Sequence, residues 1–486
     1  MEVTQNKYEN WINKNKFTYW MNSFVNSEWF IILIGILVLI SNCFAQELVC
    51  FGLIALLSTL ALIISKDTKS LIFPLLTFQM GMSYKNGISY NPHPELPTIY
   101  DNTNVIIYLS IIGGLVILGA IFNFFIFKQY KNKFNHIIYL LPGLCALTIG
   151  YLLSGCINHF SINNFIYSAS NSFMVVGIYI YFSLTAFKYG QNHIKFISKI
   201  MIFTSFLIGI ELIHIYLTNN VIEDLNIYKD RIQNGWGISN NFAGYFNICL
   251  PFTTYLIISE KRNVKYYFSY LITCLGIIMT SSRNGYIIMI LNIIICIILL
   301  LVLKKDQRKK ILSSIIISLI LLTIICVIFR KQIYQLFIQL INYGFDLSNR
   351  KDLYEIAWKA FLKNPIFGQG WFLFGNEGYI PPTSFAPSYK AHNFVLQLLG
   401  STGIFGFLCF LGLISSIFYV ALKNKSKEKI LLLSAILVLL STSIVDNFFF
   451  DYGFERYFAI FLVGIAIELK KENVKVIETK EAIVNE

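Results

Sequence analysis

Long apolar runs separated by short polar segments fill most of the chain. They fall at about 29–45, 48–65, 70–84, 105–127, 137–155, 165–187, 196–217, 239–258, 266–281, 285–303, 311–329, 394–422, 430–446 and 449–468. A helix of about 20 apolar residues crosses a bilayer. The runs are continuous, without the alternation that marks barrel strands. Helices are then the spanning structure that satisfies every backbone group in lipid. The pattern predicts an all-α fold, a polytopic membrane helix bundle of about fourteen transmembrane helices. Residues 1–28 are polar with Trp11, Phe17, Trp20 and Phe24 interleaved, as in an interfacial segment. The chain then divides into an N-terminal bundle over 29–234, a second membrane domain over 235–469, and a polar tail over 470–486.

One long segment interrupts the runs, a large extracytoplasmic loop over 330–391. Ile333, Leu336, Phe337, Leu340 and Ile341 have amphipathic helical spacing and predict a helix lying on the membrane surface. Leu353, Ile356, Ala357, Ala360 and Phe361 predict a second helix, which Pro365 and Gly368 stop. His392 and Asn393 then stand at the start of the next apolar run.

Composition agrees with the pattern. Charged residues make up 13% and mean hydropathy is +0.62, against about 25% charged in soluble domains. The net charge of +13 raises nucleic acid as a partner, but the placement of the charges argues against it. Lys66/Lys69, Lys128/Lys131/Lys133, Lys188/Lys195/Lys199, Lys261/Arg262/Lys265, Lys304 to Lys310 and Lys423 to Lys429 sit in alternate short loops. That bias predicts both termini in the cytoplasm. It puts the loop at 218–238, the turn at Arg283 and the loop 330–391 together on the extracytoplasmic face of the cytoplasmic (inner) membrane. The first apolar run has no small-residue cleavage site and reads as a span rather than a signal peptide. The cysteines form no C-x-x-C pair and read as small hydrophobes.

The polar residues at that face are the candidates for chemistry. Arg283 lies between two spans, where an arginine either serves function or snorkels to headgroups. Gly285 after it is read as permitting a close turn. Arg350 opens the second loop helix, with Lys351 as a competing cation. His392 can accept a proton near neutral pH or brace the loop, and Asn393 could orient its ring. Glu211 and His214 are three apart on one helix face. They read as satisfying each other, or as binding acceptor hydroxyls. Asp446, Asp451, Glu455 and Arg456 read as a salt-bridged edge. The sequence has no H-E-x-x-H, acidic metal cluster, Walker or dinucleotide fingerprint, so no metal and no cofactor are expected.

Four motifs in order resemble the O-antigen ligase / O-antigen polymerase family. They are Ser282-Arg283-Asn284-Gly285, Arg350 with Trp358, Asn364-Pro365 through Gly370, and His392-Asn393 through Gly406. The stretch ISNNFAGYF before the run at 239–258 adds to the likeness, which covers about 235–410. Asn284 stands where a small residue is frequent in the family. The resemblance implies an integral-membrane GT-C glycosyltransferase, metal-independent and inverting. Its donor would be an undecaprenyl-diphosphate-linked glycan and its acceptor a glycan or a lipid core. It further implies that Arg283 and Arg350 hold the diphosphate and that His392 acts on the acceptor hydroxyl. The alternative is a transporter or flippase of lipid-linked oligosaccharide, which would need polar residues spread through the membrane interior.

Overall fold

The computed structural model describes residues 7–44, 46–77, 103–131, 136–155, 162–187, 192–223, 226–227, 229–261, 263–303, 348–371, 391–423, 426–445 and 452–484, with a few isolated positions at 157 and between 308 and 330. Its helices are α1 (Lys7–Lys14), α2 (Lys16–Val25), α3 (Glu28–Phe44), α4 (Glu47–Ile64), α5 (Ile72–Thr77), α6 (Thr103–Ile126), α7 (Leu141–Leu152), α8 (Ile162–Thr185), α9 (His193–Thr218), α10 (Ser239–Ser259), α11 (Val264–Met279), α12 (Arg283–Leu303), α13 (Ser348–Lys363), α14 (Phe394–Lys423), α15 (Lys427–Val445) and α16 (Tyr452–Val484). The β structure among the described residues is two small ladders between α9 and α10. In one, Ile222–Glu223 (β1) pairs with Asn226–Ile227 (β2); in the other, Gln233–Asn234 (β3) pairs with Gly237–Ile238 (β4).

Among the described residues seven helices are long and apolar enough to cross a membrane. An eighth qualifies if α2 and α3, bent by 65°, form one broken span. This is fewer than the fourteen expected, and the reasons are local. The run at 70–84 contributes only a single 3-10 turn and the six residues of α5 to the described structure. Those at 137–155 and 266–281 give helices of 12 and 16 residues, short of a full span. The run at 311–329, the surface helix expected from Ile333 to Ile341, and most of the loop 330–391 lie outside the described residues.

The bundle is organised around α10. Nearly every residue from Ser239 to Ile257 is buried, as expected of a helix enclosed on all sides. It packs against α9, α11, α12 and α15. On the other side α16 packs against α8 and α15, with Phe454 to Ile467 buried throughout. Glu455 and Arg456 are buried in this layer, and Arg456 Nη1 donates to Leu75 O at 3.1 Å. Of the four residues expected to form a salt-bridged edge, these two lie inside the bundle; Asp446 and Asp451 lie outside the described residues. Helix α13 ends at Lys363, immediately before Asn364 and Pro365, and so stops where the sequence said it would.

Candidate functional site

The site is built where chain segments begin new helices at one end of the bundle. Helix α12 starts with Ser282 as its cap: Ser282 Oγ accepts from Gly285 N–H at 3.1 Å. The same hydroxyl donates to Asn240 Oδ1 at 2.9 Å, which ties the start of α12 to the start of α10. Asn247 Nδ2 bonds the carbonyls of Ala243 (2.9 Å) and Gly285 (3.2 Å), and Asn292 Nδ2 bonds Asn247 O (2.7 Å). These amides hold α10 and α12 in close contact.

Gly285 serves that contact. It lies within α12, and a Cβ built there would stand 2.5 Å from Ala243 Cβ. Its role is to let α10 approach, where the sequence had suggested a turn. Arg283, the first residue of α12, is exposed at this end. Asn284 is buried and reaches Thr442 O on α15 (3.5 Å).

Helix α14 begins the same way. Asn393 Oδ1 accepts from Val395 N–H (3.0 Å) and Leu396 N–H (3.1 Å), so this carboxamide caps α14. His392, half-buried, precedes the cap with φ 49°. Ser281, which precedes the cap of α12, has φ 53°. A non-glycine residue in the left-handed region costs about 1–3 kcal/mol, and such residues gather at functional sites. Here one stands just before α12 and one just before α14.

Helix α15 runs back from the far end of α14 and brings Thr442 to Asn284. Arg283 and His392 therefore occupy the same end of the bundle. The N-termini of α10, α12 and α14 all open there, each with positive partial charge and unsatisfied N–H groups.

Arg350 reaches this end through α13. Ala357 and Ala360 on α13 form a small apolar cluster with Ala391, against which Leu396 packs. Arg350 lies two turns before Ala357 on the same face, and His392 follows Ala391 directly. Arg350 is half-buried.

The glycine motifs fix this docking. Helix α14 is broken at Gly403 (φ 65°, ψ −168°), and the segment after α13 enters the break. Ile404 N–H donates to Pro365 O (2.8 Å), Phe405 N–H to Ile366 O (3.0 Å), Gln369 N–H to Gly400 O (2.9 Å) and Gly370 N–H to Ser401 O (2.9 Å). Trp371 then plugs the core. Its N–H donates to Asn164 Oδ1 (2.6 Å), and its ring meets Tyr151 (5.2 Å) and Tyr167 (5.6 Å). Trp358, by contrast, is exposed, its ring tilted against that of Phe361 at 5.2 Å. Nothing in the sequence marked Asn164 or Ser154 as the partners of this segment. Ser154 Oγ donates to Ser401 O at 2.5 Å from far along the chain.

Glu211 is fully buried, and its partners are not His214. Asn42 Nδ2 (2.9 Å), Asn234 Nδ2 (2.7 Å) and Trp236 Nε1 (2.6 Å) all donate to its Oε2. Oε1 has no hydrogen-bond partner among the described residues. His214 instead lies 6.2 Å from the ring of Phe44. The carboxyl thus ties the segment before α10 to α3 and α9. Trp236 in turn packs edge-on against Tyr245, which stacks on Phe454 (4.3 Å).

No curated protein matches the chain. Residues 268–411 match the O-antigen ligase family model, over a stretch from within α11 to just past the break in α14 that includes Arg283, Arg350 and His392.

Proposed function

We propose that the protein is a metal-independent, inverting glycosyltransferase. It transfers an oligo- or polysaccharide from undecaprenyl diphosphate to an acceptor hydroxyl, by ligation to a lipid core or by polymerisation of repeat units. The observation that carries this reading is the convergence of Arg283 and His392, each at the start of a buried-face helix, at one end of the bundle to which α13 also brings Arg350. A diphosphate leaving group needs positive charge, and arginine offers it as paired, planar N–H donors. The helix N-termini around it add fixed dipoles of the same sign. Charge that grows on the departing oxygens is then stabilised by groups already in position.

In this reaction His392 takes the proton of the acceptor hydroxyl. The acceptor oxygen bonds to the anomeric carbon, and the bond from that carbon to the diphosphate oxygen breaks. The electron pair leaves with undecaprenyl diphosphate, held by Arg283 and Arg350. One displacement inverts the anomeric centre. The site faces the extracytoplasmic side of the inner membrane, in keeping with the lysine-rich loops at the other end. Glu211 and His214 border it through the segment before α10 and are not assigned a step.

The test is transfer by purified protein in lipid vesicles, with a defined undecaprenyl-diphosphate-linked glycan and an acceptor. The expected result is an extended or ligated glycan of inverted linkage, formed equally with and without EDTA. Loss of the reaction in EDTA, or retention of the anomeric configuration, overturns the mechanism.

A further inference from the structure

The other end of the bundle carries a second site. Helices α3, α9 and α11 all begin there, about 30 Å from Arg283 by the length of α10. Their starts are joined by ion pairs, Lys199–Glu28 at 2.6 Å and Lys195 to Glu260, just past α10, at 2.5 Å. Between the three helices lies a groove of about 850 Å³. Among the described residues its rim is lined by Lys69, Lys195, Lys199 and Lys265, with Glu28 the one carboxylate in the lining. Asp67 pairs with Lys69 (3.7 Å) from outside the groove. Counting Asp67, Glu28 and Glu260 against the four lysines leaves one positive charge in excess. Lys265 is spread over the Tyr266 ring (5.0 Å) and Lys69 lies 5.8 Å from the Phe196 ring. The three helix N-termini add their positive ends to this rim.

Below the rim the lining turns apolar. Ile32, Phe203, Phe206 and Phe268 form its walls. Phe268 is 63% exposed and Ile32 36%, so the groove is open along its flank. From Lys195 to Phe206 the wall runs about 16 Å along α9. That is close to half of a hydrocarbon core about 30 Å thick. A cationic rim over an apolar wall one leaflet deep, open to the side, has the shape and charge of a lipid's complement. Basic pockets between membrane helices hold anionic headgroups in this manner.

We propose that this groove binds one anionic phospholipid of the leaflet opposite the candidate catalytic site. The phosphate sits among Lys195, Lys199 and Lys265, and an acyl chain lies along Phe203 and Phe206. A bound lipid here would brace α9 and α11, two of the helices packed on α10.

The experiment uses delipidated, full-length protein and native mass spectrometry with added phosphatidylglycerol. The expected result is saturable uptake of one high-affinity copy. Phosphatidylcholine should bind at least tenfold more weakly, and soluble glycerol phosphate should not compete. Lys199→Gln and Lys265→Gln should each weaken binding roughly fivefold, about 1 kcal/mol per headgroup contact. Lys→Arg at the same positions should retain it, and Lys423→Gln, elsewhere on the surface, should change nothing. Uptake that rises without saturation, equal affinity for phosphatidylcholine, competition by glycerol phosphate, or unchanged affinity in the double Gln variant would each overturn the proposal.

Discussion

Gly368 and Gly403 are in backbone contact: a Cβ added to Gly403 would fall 2.6 Å from Gly368 N and 2.4 Å from Ile366 C. Gly403 also has φ 65°, where an L side chain is strained. Replacing it by alanine must push the 365–370 segment out of the break in α14, and that segment ties the end of α13 to α14. Gly403→Ala is expected to cost at least about 2 kcal/mol, seen as a lower melting temperature in detergent, and to remove transfer. Gly412→Ala is the control, since nothing lies within 4 Å of its added Cβ. Equal melting temperatures for the two variants would show that the break tolerates a side chain.

The two arginines should fail differently from the glycines. Arg283→Ala and Arg350→Ala are expected to leave a folded membrane protein with normal melting and less than one per cent of transfer activity. Removing one positioned donor to a charge that grows in the transition state costs about 10²–10³ in rate. Arg→Lys should rescue poorly, because an ammonium lacks the planar fork. Near-normal turnover in both alanine variants would remove the diphosphate clamp.

The motifs were legible because local chemistry fixes them. Pro365 has no N–H to continue α13 and marks its end. The caps were not legible: the sequence pointed Asn393 to the His392 ring, and only the structure shows Ser282 capping α12 and Asn393 capping α14. What the glycines do was not legible. Gly285 and Gly403 answer to Ala243 and Ile366, neighbours that only the folded chain supplies. Glu211 shows the same limit. Spacing put His214 on its face, but Asn42 lies 169 residues away in sequence and Asn234 and Trp236 in a separate segment. Hydropathy found the long spans; a run such as 137–155 marks an apolar segment without saying how much of it is helix, here the 12 residues of α7.

Glu211 should matter as an acceptor more than as a base. Glu211→Leu strands three buried donors, those of Asn42, Asn234 and Trp236, at about 1–3 kcal/mol for each one left unsatisfied. A loss of about 3 kcal/mol or more is expected, read by thermal unfolding monitored through tryptophan fluorescence. Glu211→Gln keeps an acceptor oxygen and should retain most stability and most transfer. If the Gln variant loses transfer while melting normally, the carboxyl has a part in the reaction that its hydrogen bonds do not explain.

His392 gives the sharpest test, because its two readings predict different failures. As a general base it accepts the acceptor's proton. General-base assistance is worth about 10²–10⁴-fold, so His392→Ala should keep about one per cent of activity or less, with donor binding and melting temperature unchanged. As a brace, His392 would act through the backbone turn it occupies at φ 49°. His392→Asn would then restore activity, because asparagine tolerates the left-handed region. Measuring transfer, donor binding and melting temperature for wild type, His392→Ala and His392→Asn separates the two. An Asn variant with wild-type turnover would assign the residue to the turn and leave the proton to another group.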